Sequence, residues 1–201
     1  MNEFSNQIPS GFFAAELAGS RLRIRPYDEK LDITFIAEMF ADPLIFTPLG
    51  FSGPVMSEEK IRSLKRCRNE NSLSGDWTIF TNNEFDDFVG EVGISHIDFE
   101  NGIIGVFATV GSKHPGKAYG REAVSVLINH IFNNLRIQRI RVETLTGNGK
   151  AISLAESLGF QLSGMLYLPP NPITGFKGGN GIILDLTPAD FTPFIPYKNN
   201  H

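Results

Sequence analysis

Apolar and polar positions along this chain change period several times, and each change marks an element. The most regular stretch is 103–134, IIGVFATVGSKHPGKAYGREAVSVLINHIFNN. Residues 103–110 are largely apolar or β-branched on both faces and stop at Gly111, the pattern of a central strand covered from two sides. A turn with a proline and two lysines follows. Tyr119, Ala123, Val124, Val126, Leu127, His130 and Ile131 then recur at steps of three and four, which predicts a helix with one core-facing stripe and a polar opposite face.

The rest of the chain reads by the same rules. Leu22 and Ile24 alternate with Arg21, Arg23 and Arg25 in a strand that ends at Pro26. A helical pattern over 30–40 stops at Asp42-Pro43. Residues 44–55, punctuated by Pro48, Gly50, Gly53 and Pro54, read as a loop lined by Phe46 and Phe51. Ser57 caps a helix to about residue 70, with Glu58 and Glu59 first and Lys65, Arg66 and Arg68 last, in the order that suits the helix dipole. Strands are predicted at 76–81, 88–97, 103–110, 139–145, 161–168 and 181–186, and a short helix at 150–158 is stopped by Gly159. The order β α α β β β α β α β β gives an α+β fold with a single mixed, mostly antiparallel sheet of about seven strands flanked by helices. Residues 1–19 read as a loose arm clipped on by Phe12 and Phe13, 20–191 as one domain, and 192–201 as an aromatic tail packed along the surface.

A chain of 201 residues that is 41% hydrophobic buries one sizeable core. Its net charge of −4 argues against general binding to nucleic acid or an anionic membrane, and mildly suits a cationic substrate. The single cysteine, Cys67, cannot form an internal disulfide, which points to a reducing, cytoplasmic setting. No basic-then-apolar leader opens the chain, and no apolar run approaches the roughly eighteen residues of a membrane span.

The turn after residue 110 carries the candidate chemistry. It delivers unpaired backbone amides and lysines to a helix N-terminus, a ready-made phosphate site. Gly111-Ser112-Lys113-His114-Pro115-Gly116-Lys117-Ala118 nearly spells the triphosphatase loop G-x-x-x-x-G-K-[ST]. Ala118, however, stands where that loop needs a hydroxyl for magnesium, and the preceding strand belongs to an antiparallel meander.

The same residues, Lys113 to Ala118, resemble the Q/R-x-x-G-x-G/A motif of the GCN5-related N-acetyltransferases (GNAT), with Lys113 in place of Gln or Arg. Downstream, Asn148 and, twelve residues later, Phe160 in NGKAISLAESLGF resemble the family's N-x-x-S-x-x-x-x-E-K-L-G-F segment, with Ala151 in place of Ser. RLRIRPY and DLTPADF resemble its first and last strands, so the likeness spans about residues 20 to 191 and looks nearest to the ribosomal-protein-acetyltransferase branch.

The resemblance implies an acetyl-coenzyme A-dependent N-acetyltransferase that needs no metal. The acceptor it implies is a primary amine, on a protein N-terminus, a polyamine or another small molecule, attacking the thioester directly in a ternary complex. From its charge balance and its lack of a long apolar run, the chain is expected to have no nucleic-acid or membrane partner, and it reads as a monomer or a homodimer. The coenzyme positions the resemblance implies are Phe107, Ala108, Thr109 and Val110 on the strand, Lys113, His114, Pro115, Gly116, Lys117, Ala118, Tyr119, Gly120 and Arg121 in the loop and helix start, and Asn148. A backbone N–H near Phe107 or Ala108 would meet the oxyanion. Lys113, Lys117 and Arg121 read either as phosphate ligands or as an ordinary solvated helix start, and Asn148 as a coenzyme contact or a turn residue.

Hairpin register nominates His96 and Asp98 as base, with Glu91 further along the strand; alternation puts Glu91 and His96 on opposite faces. The bland readings beside these are an exposed strand histidine and a solvated turn aspartate. Ala155 stands where many members have a thiolate-protonating Tyr, which leaves Tyr167 and Ser153 as candidate acids. A different reading is a catalytically degenerate coenzyme A-binding or protein-interaction domain of the same fold.

Overall fold

In the computed structural model, residues 7–51, 57–70, 72–171 and 175–196 are described. The start of the expected arm, 52–56 of the expected 44–55 loop, residue 71, 172–174 between the last two predicted strands, and 197–201 of the tail lie outside them. Strands β1 (Leu17–Ala18), β2 (Leu22–Pro26), β3 (Gly75–Thr81), β4 (Phe88–Asp98), β5 (Ile103–Val110), β6 (Arg139–Leu145), β7 (Gln161–Leu168) and β8 (Gly179–Leu186) form one sheet in the order β1-β2-β3-β4-β5-β6-β8-β7. All neighbours are antiparallel except β5 and β6, which the crossover helix α4 (Tyr119–Asn134) joins in parallel. Helices α1 (Glu29–Phe40), α2 (Pro43–Phe46) and α3 (Glu58–Asn69) lie between β2 and β3 in the chain, and α5 (Gly149–Ser157) follows β6.

All of the helices but α4 begin where a side chain caps them. Asp28 accepts from the Lys30 and Leu31 amides, Ser57 from Lys60, and Asn148 from Ala151. Asp42 and Pro43 likewise start the four-residue α2 inside what reads from sequence as loop, and an eighth strand, β1, pairs with β2.

The sheet has two different faces. Trp77, Ile79, Val92, Ile94, Ile104 and Val106 pack with Ala123, Val124, Leu127, Ile128 and Ile131 of α4 in the main core. The α1/α3 face is polar at its centre. Asp32 is fully buried there and accepts from Arg25 Nη1 at 2.8 Å, Thr78 Oγ1 at 2.8 Å and the Asp28 amide at 2.9 Å. A small cluster of Ile33, Ile36 and Ile61, with Phe40 and Phe88 against it, joins α1 to α3.

Helix α4 is covered more widely than its apolar stripe predicts. Glu122 is buried and accepts from Ser20 Oγ and the Arg21 amide and Nε, while Ser125 accepts from the Phe194 amide. The two ends of the chain therefore cover the face that reads as solvent-exposed. His130 stacks on Phe12 with ring centroids 4.4 Å apart and sits 3.1 Å from the Phe12 carbonyl; burial lowers its pKa.

Candidate active site

Strands β5 and β6 pair only over Ile103–Gly105 and Arg139–Arg141, then part. The gap opens into a slot of about 160 Å³ lined by Val106, Ala108, Val142, Asn148, Ala155 and Phe160, among others. The Gly111 amide donates to Val89 of β4, and a Cβ built on Gly90 would lie 2.1 Å from the Thr109 carbonyl oxygen, so Thr109 and Gly111 aim their backbone groups at β4. By strand alternation the Ala108 N–H points the other way, into the gap, and the Phe107 N–H does not. Only one of the two expected oxyanion donors faces the slot.

Beyond β5 the chain turns into α4 through Gly116 (φ +73°) and Ala118 (φ +56°), the latter one of two described non-glycine residues with positive φ. Ala118 is the N-cap of α4 and makes no side-chain cap hydrogen bond, so the first-turn amides of the helix lack the usual oxygen acceptor. His114 Nε2 and Arg121 Nε are buried without a hydrogen-bond partner, while Lys113 and Lys117 are exposed beside them. Ser112 Oγ donates to Asp42, a bond that, with the Leu44 amide, holds the Asp42 carboxyl below the ordinary range and ties the loop to α2. Unsatisfied amides at the end of a mostly apolar slot fit the pyrophosphate and pantetheine of coenzyme A.

A second cavity, of about 330 Å³, lies on the α1/α3 face between Phe40, Leu49, Phe51 and Phe107. Leu49, Phe107 and Thr109 line both cavities. Its charged members are Lys65, Arg68 and Glu91. Lys65 donates to Glu91 Oε2 and to Asp76 at 2.7 Å, all three being buried. Burial alone would lower the Lys65 pKa; Glu91 and Asp76 outweigh it and hold the ammonium above the ordinary lysine range. Arg68 lies 4.5 Å over the Phe107 ring and only 3.4 Å from Asp76.

The expected bases are placed unequally. Glu91 faces this cavity. A β-bulge at Ser95 puts His96 opposite Gly105 and Glu91 opposite Thr109, so both share a face, contrary to simple alternation. His96 is nonetheless exposed, its Nδ1 3.1 Å from Ser95 Oγ, and it does not line the cavity. Asp98 accepts from the Asn101 amide and Nδ2, bonds that lower its pKa and shape the β4–β5 turn. Ser153 and Tyr167 are exposed and line neither cavity, and the slot's hydroxyls among the described residues are those of Thr109 and Thr144. Asn148 caps α5, accepting from the Ala151 amide, and donates to Thr144 Oγ1 at 3.1 Å while lining the slot. Arg121 donates to the Ser157 carbonyl.

Lys65 and Arg68 do not stand out as site residues from sequence. The signal is there: Ile61, Leu64, Lys65 and Arg68 fall at i, i+3, i+4 and i+7, which puts two cations on the apolar stripe of α3.

Comparison with known proteins agrees with this geometry. The sequence pattern of the Acetyltransferase (GNAT) domain matches residues 21–161. The chain is 30% identical over 148 residues to a Bacillus licheniformis protein named uncharacterized N-acetyltransferase p20, covering 73% of this chain and 82% of that one. Among the solved structures that share the fold are two captured with coenzyme A species. RimJ from Mycobacterium smegmatis, in complex with CoA-disulfide, has a TM-score of 0.71 at 16% identity, covering 89% of this chain and 90% of its own. Spermidine N-acetyltransferase from Vibrio cholerae, with CoA and spermine, has a TM-score of 0.69 at 19% identity, covering 85% and 98%.

Proposed function

This chain belongs to the GNAT acetyltransferase family and is an acetyl-coenzyme A-dependent acyltransferase, and we propose that it acetylates a primary amine by direct attack within a ternary complex. The observation that carries this reading is the parting of β5 and β6 beyond Gly105, with the uncapped start of α4 at one end of the gap and the acceptor-side cavity at the other.

Acetyl-coenzyme A, when bound, supplies an activated thioester. In this reading the α4 amides, with Lys113, Lys117 and Arg121 close by, hold the pyrophosphate. The Ala108 N–H stabilises the oxyanion that forms as the amine attacks. Glu91 takes the amine proton: Lys65 engages Oε2, and no described residue donates to Oε1. The spermidine of the Vibrio cholerae enzyme's name serves as an acceptor model only at the level of the reacting amine.

Titration calorimetry with acetyl-coenzyme A, followed by thiol release over an amine panel, tests the proposal. Glu91→Gln is expected to lower kcat by about 10²–10⁴-fold with coenzyme affinity unchanged. Ping-pong kinetics, or turnover of alcohols in preference to amines, would refute it.

A further inference from the structure

We infer that the acceptor is a compact monoamine with an apolar body and a carboxylate, and that polyamines are not substrates. This rests on the acetyl-transfer reading above and adds the acceptor's chemical class. Three features of the α1/α3-face cavity carry it.

The first is the number of free anionic positions. Glu91 is the one carboxylate among the described lining residues, and Lys65 already occupies its Oε2. Asp76, the next carboxylate, is buried behind it and held by Lys65 and Arg68. One oxygen is left, enough for one ammonium. A polyamine brings two or more further cations into a space whose other charges, Lys65 and Arg68, repel them.

The second is Arg68. Its side chain is 39% exposed, its one carboxylate contact among the described residues is the long one to Asp76, and its guanidinium lies over Phe107, the ring shared by the donor slot and the acceptor cavity. The remaining N–H donors form a fork suited to a carboxylate. The third is the wall. Phe40, Leu49, Phe51 and Phe107 make a mostly apolar enclosure of about 330 Å³, sized for a molecule such as an aromatic or branched amino acid.

Thiol release from acetyl-coenzyme A is to be measured with phenylalanine, 4-(aminomethyl)benzoate, phenylalaninamide, phenethylamine and spermidine, alongside calorimetric coenzyme binding. At least one of the two carboxylate-bearing amines is expected to exceed the two that lack a carboxylate, phenylalaninamide and phenethylamine, by about tenfold or more in kcat/KM, and spermidine by about a hundredfold. Arg68→Gln is expected to raise KM for the carboxylate acceptor about tenfold or more, leave the amide within about threefold, and leave coenzyme affinity intact; Arg68→Lys recovers part of the loss. Spermidine turnover equal to that of the best carboxylate acceptor overturns the inference. So does Arg68→Gln acting equally on acid and amide, or turnover of none of the five by protein that binds acetyl-coenzyme A. Failure to bind the coenzyme instead removes the donor reading, and this inference with it.

Discussion

Replacing Lys65 with methionine tests the charge cluster that joins α3 to the sheet. The ammonium sits between Asp76 and Glu91, whose side chains are 1% and 4% exposed, and is itself 8% exposed. Lys65→Met removes the cation but keeps the length and apolar stem. Two carboxylates are then left in a buried site, with Arg68 at 3.4 Å from Asp76 as the nearest remaining cation. Removing one partner of a buried ion pair costs about 3–5 kcal/mol. With a urea m-value of about 2–3 kcal/mol/M for a chain of this size, the midpoint should fall by about 1–2.5 M. The lone tryptophan, Trp77, is fully buried and reports unfolding by fluorescence. Neutralising the three buried groups, as Lys65→Met/Asp76→Asn/Glu91→Gln, should recover more than half of the loss, because the one charge left, Arg68, has a side chain that is 39% exposed and reaches solvent. The pH dependence has a definite sign. The folded-state pKa of Lys65 is raised, so its stabilisation is complete below the unfolded value near 10.4 and is lost as pH rises through the folded one; Lys65→Met should lack that alkaline limb. A single-variant loss under about 1 kcal/mol, or a triple variant as unstable as the single one, refutes the cluster as described.

Three other outcomes follow from the same structure. Burial, and then the neighbouring Glu29 charge, push the Tyr27 pKa up to about 12, and its hydroxyl is buried without a partner, so absorbance near 295 nm should show one tyrosine ionising about two pH units later than the free side chain; the associated stability declines between about pH 10 and 12. Ala118 holds a left-handed conformation that costs an L-residue about 1–2 kcal/mol, partly offset on substitution by the unfolded-state entropy of glycine, so Ala118→Gly should raise Tm by about 1–3 °C by calorimetry and keep coenzyme affinity, whereas Ala118→Val should lower Tm. Asp32→Ala leaves Arg25 and Thr78 without their acceptor under the sheet and should cost about 3–5 kcal/mol in urea unfolding, with Asp32→Asn losing less.

The parts of the fold legible in the sequence are those with a strong local period. Ile103–Val110 and Tyr119–Asn134 announce themselves through doubly apolar and then helical spacing, and the caps Asp28, Ser57 and Asn148 announce helix starts through their own hydrogen-bonding chemistry. What was hidden depends on distant partners. The two residues of β1 are too short to carry a period. Burial of Glu122 and Ser125 depends on residues 20–21 and 194, about a hundred and about seventy positions away. The bulge at Ser95 has no glycine or proline to mark it, yet it reverses which face His96 presents relative to Glu91. Lys65 was legible as a helix-end cation and not as the partner of Glu91, because dipole matching and site electrostatics ask for the same residue type.

The site also explains why these particular strands must part. A continuous sheet separates the α4/α5 side, where the uncapped amides lie, from the α1/α3 side, where Glu91 and Arg68 lie. Two reactants held on opposite faces of an unbroken sheet could not meet. The interruption after Gly105 leaves Phe107 and Thr109 as the shared wall of both cavities, and Ala108 between them offers its N–H to the gap that their own backbone groups turn away from. Close approach of Gly90 to the Thr109 carbonyl fixes that alternation, since any Cβ at position 90 would push β5 off β4. The direction of the Ala108 N–H, the face that Glu91 presents and the opening are thus set by one strand register, and on the proposed reading loops such as that of Leu49 and Phe51, which line the cavity, are left to choose the acceptor.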